Sequence, residues 1–282
     1  MTKLVALVDG SIYAQSVCDH AAWVAGRTGA SVDILHVLGR RETGGSRDLS
    51  GSISLGARTA LLEELSALDE QRAKLAQARG RAILDDAKEI VEAAGVTVAT
   101  KLRIGDIVET VAESEADADL VIIGKRGEAA DFAKAHLGSN LERIVRSSAK
   151  PVFVASRAFA PIERFLVAYD GGVSSMKAVD HIARSALFAG LECRLLMVGH
   201  DTSVTQRQIG NARAVLEAAG YWVKAEIVPG QPDTVIADVV RDENVGLLVM
   251  GAYGHSRIRS LVIGSTTTEM VRSCKIPVLL FR

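Results

Sequence analysis

The chain has 282 residues, with 33 lysines and arginines against 34 aspartates and glutamates, a formal net charge of −1. The basic residues are spread rather than gathered, which excludes the electrostatic footprint of a nucleic-acid or acidic-membrane binder. Hydrophobic residues make up 48% and charged residues 24% of the chain, the proportions of a globular protein with room for two domains, each able to bury its own core.

No apolar run approaches the roughly 20 residues that span a bilayer, so no membrane span is expected. No N-terminal stretch reads as a signal peptide. Cys18, Cys193 and Cys274 lie far apart, with no Cys-x-x-Cys pair. A soluble protein of the reducing cytoplasm is the expectation.

In chain order, Leu4–Val8, Val32–Val37, Val96–Leu102, Leu120–Ile123 and Val152–Ala155 read as short buried strands rich in Val, Ile and Leu. Helical stretches separate them, roughly Ala14–Thr28, Ala60–Ala94, Ile107–Ala116 and Leu137–Ser147. Strands expected at Phe165–Tyr169, Arg194–Val198, Trp222–Val228, Leu247–Met250 and Pro277–Phe281 repeat the order, with helices between. This alternation predicts a doubly wound α/β class, a parallel sheet with helices on both faces.

The two halves are related. The segment from Lys3 to Gly10 matches that from Arg164 to Gly171 at an offset of 161, and Lys150-Pro151-Val152 recurs as Ile276-Pro277-Val278. Two domains are expected, residues 1–156 and 162–282. The offset falls from 161 at Asp9 and Asp170 to 125 at Gly95 and Gly220, so the first half carries 36 extra residues, mostly within 39–72. These read as a loop rich in Gly, Ser and Arg followed by a lengthened helix. The loop is a lid or a tolerated surface insertion. Leu61, Leu62, Leu65, Leu68 and Leu75 have partly helical spacing, for burial against the first domain or against a partner subunit.

A glycine pattern closes each half. Gly251-Ala252-Tyr253-Gly254 follows the fourth strand of the second half, then nine residues lead to Gly264-Ser265; Gly124-Lys125-Arg126-Gly127 is followed by ten residues and Gly138-Ser139. Glycines let backbone N–H groups approach an anion, and a helix N-terminus favours negative charge. Thr266, Thr267 and Thr268 add hydroxyl donors. The alternative is that such glycines mark only a turn. Asp9 and Asp170 follow the first strands, where they could contact a ligand at the crevice of a 3-2-1-4-5 sheet or cap the helix that follows.

On these residues the chain resembles a tandem universal stress protein, two copies of that family's domain covering nearly its whole length. The resemblance implies two Rossmann-like five-stranded parallel sheets of order 3-2-1-4-5. The last strands of the two halves would pair across a pseudo-twofold axis, making an intrachain pseudo-dimer, with further homo-oligomers open. It also implies a bound adenine nucleotide, ATP, with any Mg²⁺ held by the phosphates. In the second half the contacting residues would be Asp170, Val198, Gly251, Gly254, Gly264, Ser265 and Thr266. In the first half they would be Asp9, Val37, Gly124, Gly127, Gly138, Ser139 and Asn140. There the ten-residue spacing and Asn140 in place of a hydroxyl depart from the family pattern, so the second site is favoured.

Other candidates carry less. His255 and His136 could bind phosphate or act as acids, or be surface histidines, and His20, His36, His181 and His200 lack ligand-like spacing. Arg126, Arg257 and Arg259 could neutralise phosphate or be solvated. Trp23 and Trp222 read as core or interface anchors, and Cys18 and Cys274 as buried thiols on helices. The chain has no Gly-x-x-x-x-Gly-Lys-Ser/Thr loop, no Gly-x-Gly-x-x-Gly fingerprint and no Gly-x-Ser-x-Gly elbow. The expectation is a nucleotide-binding sensor or regulator of the stress response. The alternatives are a slow ATPase or nucleotidyl-transfer enzyme, and a scaffold for a partner or an apolar ligand.

Overall fold

The computed structural model describes residues 1–39, 55–127, 139–252 and 264–282, with 55–62 and 139 as backbone only. The first half runs β1 (Lys3–Leu7), α1 (Ala14–Thr28), β2 (Ser31–Leu38), α2 (Leu55–Ala93), β3 (Val98–Ile104), α3 (Ile107–Glu115), β4 (Leu120–Gly124), α4 (Ser139–Ser147) and β5 (Val152–Ala155). The second runs β6 (Arg164–Ala168), α5 (Val173–Arg184), β7 (Glu192–Val198), α6 (Ser203–Ala218), β8 (Val223–Val228), α7 (Pro232–Asp242), β9 (Leu247–Gly251), α8 (Ser265–Ser273) and β10 (Val278–Phe281). A short 3-10 turn, Ala186–Phe188, follows α5.

All ten strands form one sheet in the order β3-β2-β1-β4-β5-β10-β9-β6-β7-β8, two 3-2-1-4-5 halves placed back to back. Within each half neighbouring strands are parallel, as buried runs of Val, Ile and Leu favour. The halves meet where β10 pairs antiparallel with β5, Leu279 opposite Phe153. This is the pseudo-dimer pairing that the resemblance implied.

Strand alternation divides the core by face rather than by half. On one face Leu4, Ala6, Ile34 and Phe153 join Phe165, Val167, Leu195 and Leu279 beneath α1, α2, α5 and α6. On the other Val5, Val121 and Val154 join Leu166, Leu248 and Val278 beneath α3, α4, α7 and α8. Each of the two clusters therefore spans both halves. The reason is the β5–β10 ladder, which carries both faces of the sheet across the junction.

The halves are also tied by side chains. Arg27, in the last turn of α1, donates to the carbonyls of Leu187 and Ala189. Its guanidinium lies 5.5 Å from the Trp23 ring centre. Trp23 is half-buried against the core. Trp222, expected as a core or interface anchor, is 75% exposed at the residue before β8, so it is no part of the core. All three cysteines are buried, and burial pushes the Cys18 and Cys193 thiols up to about 12.

Candidate functional site

The carboxyl ends of β1 and β4, and of β6 and β9, form the two candidate crevices. In each pair the chain leaves the first strand toward one face of the sheet and the second toward the other, which opens a cleft between them. Val37 and Val198 stand half-buried near the ends of β2 and β7, beside those clefts.

The two aspartates are engaged locally. Asp9 Oδ1 accepts from the Ser11 N–H at 3.1 Å, and Ser11 Oγ in turn accepts from the Tyr13 N–H at 3.2 Å. Asp170 Oδ1 accepts from the Gly172 N–H at 2.8 Å and from the Ser175 hydroxyl at 2.6 Å. Each carboxylate thus bonds local donors of the turn leading into α1 or α5, while the N-cap residues of those helices, Tyr13 and Gly172, make no side-chain cap bond. Gly171 has φ 75°, a left-handed conformation suited to glycine, and a Cβ there would stand 2.6 Å from Gln208 Nε2 on α6.

The glycines that end β4 and β9 have a packing role that the sequence did not reveal. A Cβ on Gly124 would lie 2.8 Å from Tyr13 Cβ, and one on Gly251 would lie 3.0 Å from Ser174 Cβ. Both glycines let the first turn of α1 or α5 close against the neighbouring strand. Gly127 makes a different approach. A Cβ there would stand 2.9 Å from Asp9 Oδ2, so the loop backbone and the carboxylate meet across the first crevice.

In the second half the start of α8 is fastened to β9. Gly264 N–H donates to the Ala252 carbonyl at 3.1 Å, and the Thr267 hydroxyl donates to the Gly251 carbonyl at 3.0 Å. Thr267 is buried and its hydroxyl is used inside the fold, which removes it from the donors expected for a ligand. Ser265 is exposed and Thr266 half-exposed. The first-turn N–H groups of α8, like those of any helix, have no intrahelical partner, and they carry the positive end of the helix dipole. The structure therefore brings Asp170, Gly251, Gly264, Ser265 and Thr266 to one end of the β6–β9 pair. Gly254, His255, Arg257 and Arg259 lie outside the described residues.

In the first half the structure brings Asp9, Gly124 and Gly127 together, and Asn140 lies in the first turn of α4. Gly138 and His136 lie outside the described residues, and Ser139 is described as backbone only. Lys125, between the two glycines, turns away from the crevice. It is buried, and its ammonium donates to the carbonyl of Cys274 at the end of α8 in the other half. Burial pulls its pKa down to about 8, with the nearby Arg126 charge adding to the shift. Sequence reasoning gave Lys125 no role, because nothing in a linear pattern shows that the opposite half supplies its acceptor.

The model of the universal stress protein family matches residues 1–156 and 161–282. The chain is 39% identical over 287 aligned residues to universal stress protein Slr1230 of Synechocystis, covering all of both chains. It is 24% identical over 230 residues to a universal stress protein of Mycolicibacterium smegmatis, 72% of this chain and 76% of that one. A crystal structure of a universal stress protein from Archaeoglobus fulgidus shares the fold, with a TM-score of 0.69 at 21% identity, over 99% of this chain and 98% of that one.

Proposed function

Because the chain belongs to the universal stress protein family, we propose that it binds ATP or another adenine nucleotide between the carboxyl ends of β6 and β9, acting as a cytoplasmic sensor or regulator. Asp170 and Val198 would flank the adenosine, and Gly251, Gly254, Gly264, Ser265 and Thr266 would hold the ribose and phosphates. The observation that carries this reading is the fastening of α8. Its first turn is fixed beside the end of β9 by the Gly264 and Thr267 bonds, with Ser265 left exposed. A helix start held in that place offers unpaired N–H donors and positive potential to an anion.

The first crevice, with Asp9, Val37, Gly124, Gly127, Gly138, Ser139 and Asn140, is the weaker candidate. Its loop backbone already abuts Asp9, and its glycine spacing is one residue longer. The sequence lacks a Gly-x-x-x-x-Gly-Lys-Ser/Thr loop, which favours sensing over rapid turnover.

Mass spectrometry of the small molecules released on denaturing the purified protein tests the reading directly. About one adenine nucleotide per chain is expected, and two would extend the proposal to the first crevice. The companion measurement is calorimetry with Mg-ATP. Gly264 has φ −57° and ψ 142°, a conformation open to any residue, so Gly264→Leu places a side chain beside the start of α8 without backbone strain. It should weaken binding at least about tenfold, roughly 1.4 kcal/mol. No released nucleotide together with no uptake of added Mg-ATP would sink the proposal.

A further inference from the structure

Helix α2 leaves the body of the protein partway along its length. Its C-terminal part buries Gly80, Leu84, Ala87 and Val91, a spacing that keeps one stripe against β2, β3 and α1. That stripe begins where a Cβ on Gly80 would stand 2.8 Å from Leu102 Cδ1 and 3.0 Å from His36 Cδ2. His36 and Leu102 are register partners close to the ends of β2 and β3. Because α2 returns antiparallel to those strands, its segment from Leu55 to Arg79 rises past the carboxyl edge of the sheet, about 37 Å of helix at 1.5 Å per residue. Among the described side chains from Glu63 to Arg79, none is buried.

Two patterns on this projection point the same way. Leu68 and Leu75 are 44% and 70% exposed. At about 100° per residue they lie roughly 120–140° around the helix from Gly80, so an extension of the sheet contact would not cover them. The charges are also segregated. Glu63, Glu64, Asp69 and Glu70 form an acidic block without a basic residue among them, and Arg72, Lys74, Arg79 and Arg81 form a basic block without an acid. The exposed pairs Asp69–Arg72 and Glu70–Lys74, at 3.9 and 2.7 Å, join the adjoining ends of the blocks, and such pairs contribute little.

We propose that the projecting part of α2 binds a second copy of this chain, the two helices packing antiparallel about a twofold axis near Gln71. Each acidic block then faces the basic block of the other copy, and Leu68 approaches the partner's Leu75. A parallel arrangement would set like charges together. The contact is self-complementary, as a closed dimer requires, and it stands independently of nucleotide binding.

Sedimentation equilibrium of the full chain tests this. The expected mass is about twice 29.9 kDa. The dissociation constant should rise at least about tenfold as salt increases from roughly 0.05 to 0.5 M and the blocks are screened. The double variant Leu68→Lys/Leu75→Lys should raise it by a similar factor, with the helix content of the chain unchanged because both positions are exposed in the single chain. Orientation is read by oxidation. Gln71→Cys should cross-link to its own copy and Ser66→Cys should not, while the native cysteines, all buried, stay silent. A single-chain mass at every concentration would overturn the proposal. So would a dimer indifferent to the two lysines, or equal cross-linking at both cysteine positions.

Discussion

The two halves share a strand order and differ in the charges buried within it. On β2, Asp33 is buried between Lys3 and Lys101, at 3.0 and 2.6 Å. At the matching place on β7 stands Arg194, between Glu226 and Glu243, with Glu226 at 2.9 Å. The polarity is inverted at two places, Asp33 against Arg194 and Lys101 against Glu226, whereas Lys3 corresponds to Arg164 and keeps its sign. Burial pushes the Asp33 carboxyl up, but Lys101 and Lys3 outweigh it and hold it below the usual carboxylate range. Burial likewise works against Glu243, and Arg194 and Lys224 outweigh it. The lesson is that the fold asks for the buried charge on the middle strand to be paired and accepts either sign there, because in each half the neighbouring side chains supply the opposite charge.

The sharpest way to break this equivalence is Arg194→Ala, which leaves Glu226 and Glu243 facing each other at the edge of the core. A loss of about 3–5 kcal/mol in urea unfolding is expected. Replacing the cluster whole, Arg194→Met with Glu226→Gln and Glu243→Gln, should recover most of it. If Arg194→Ala were neutral, the cluster would have no part in stability.

A second contrast is Lys125, buried in the first half, where the second half has buried Ala252. Its folded pKa, about 8, lies below the ordinary 10.5. Between these values the unfolded chain binds the extra proton, so stability should rise with pH there. Relative to Lys125→Met, the wild type should gain up to about 3 kcal/mol from pH 8 to 10.5. A constant gap across that window would mean that the amine is not desolvated.

His20 and His181 sit at matching places on α1 and α5, each with a buried Nε2 that has no hydrogen-bond partner among the described residues. Burial holds both below the ordinary histidine value. His181 falls to about 4, the N-terminal and Arg184 charges adding to the desolvation. The unfolded chain takes up protons first as pH falls below 6.5, so stability is present above that value and is lost on the way down. Relative to His181→Phe, the wild type should lose up to about 3 kcal/mol between pH 6.5 and 4. Parallel stability curves for the two proteins would contradict this.

The smallest contrast concerns helix starts. Asp106 caps α3 by accepting from the Val108 and Glu109 N–H groups, while Gln231 at the start of α7 makes no side-chain cap bond. Gln231→Asp should stabilise by about 1 kcal/mol, and Asp106→Ala should move stability the other way. Thermal unfolding of both variants decides the matter.

The strands and helices were legible because their apolar periodicity is strong and because each element is written twice. The start of α1 at Ala14 and its end at Thr28 coincide with the sequence expectation. Gly29 closes the helix at φ 69° with its N–H on the Ala25 carbonyl. The helix expected to start at Ala60 begins at Leu55, since the preceding Gly-Ser-rich stretch hides the first turn. The candidate site was legible by residue type and less so by role. Gly124 and Gly251 have glycine's signature, yet helix packing against a strand explains their lack of a side chain as well as ligand approach does. Thr267 looked like a phosphate donor and is spent on a carbonyl of the fold, and Lys125, given no role by the sequence, is spent on another; linear spacing cannot reveal either, because the acceptors come from other elements.

The antiparallel seam between β5 and β10 carries an evolutionary consequence. In an assembly of two identical subunits every substitution is made twice, so a reversed charge would appear on both sides of the axis at once. Here the seam is internal to one chain, and each change occurs singly. Lys125 can reach a carbonyl without a second lysine reaching back, and one middle strand can hold an acid while its counterpart holds a base. Covalent linkage also frees the seam from mass action: dilution cannot separate the halves, so the asymmetry between them persists at any concentration of the protein.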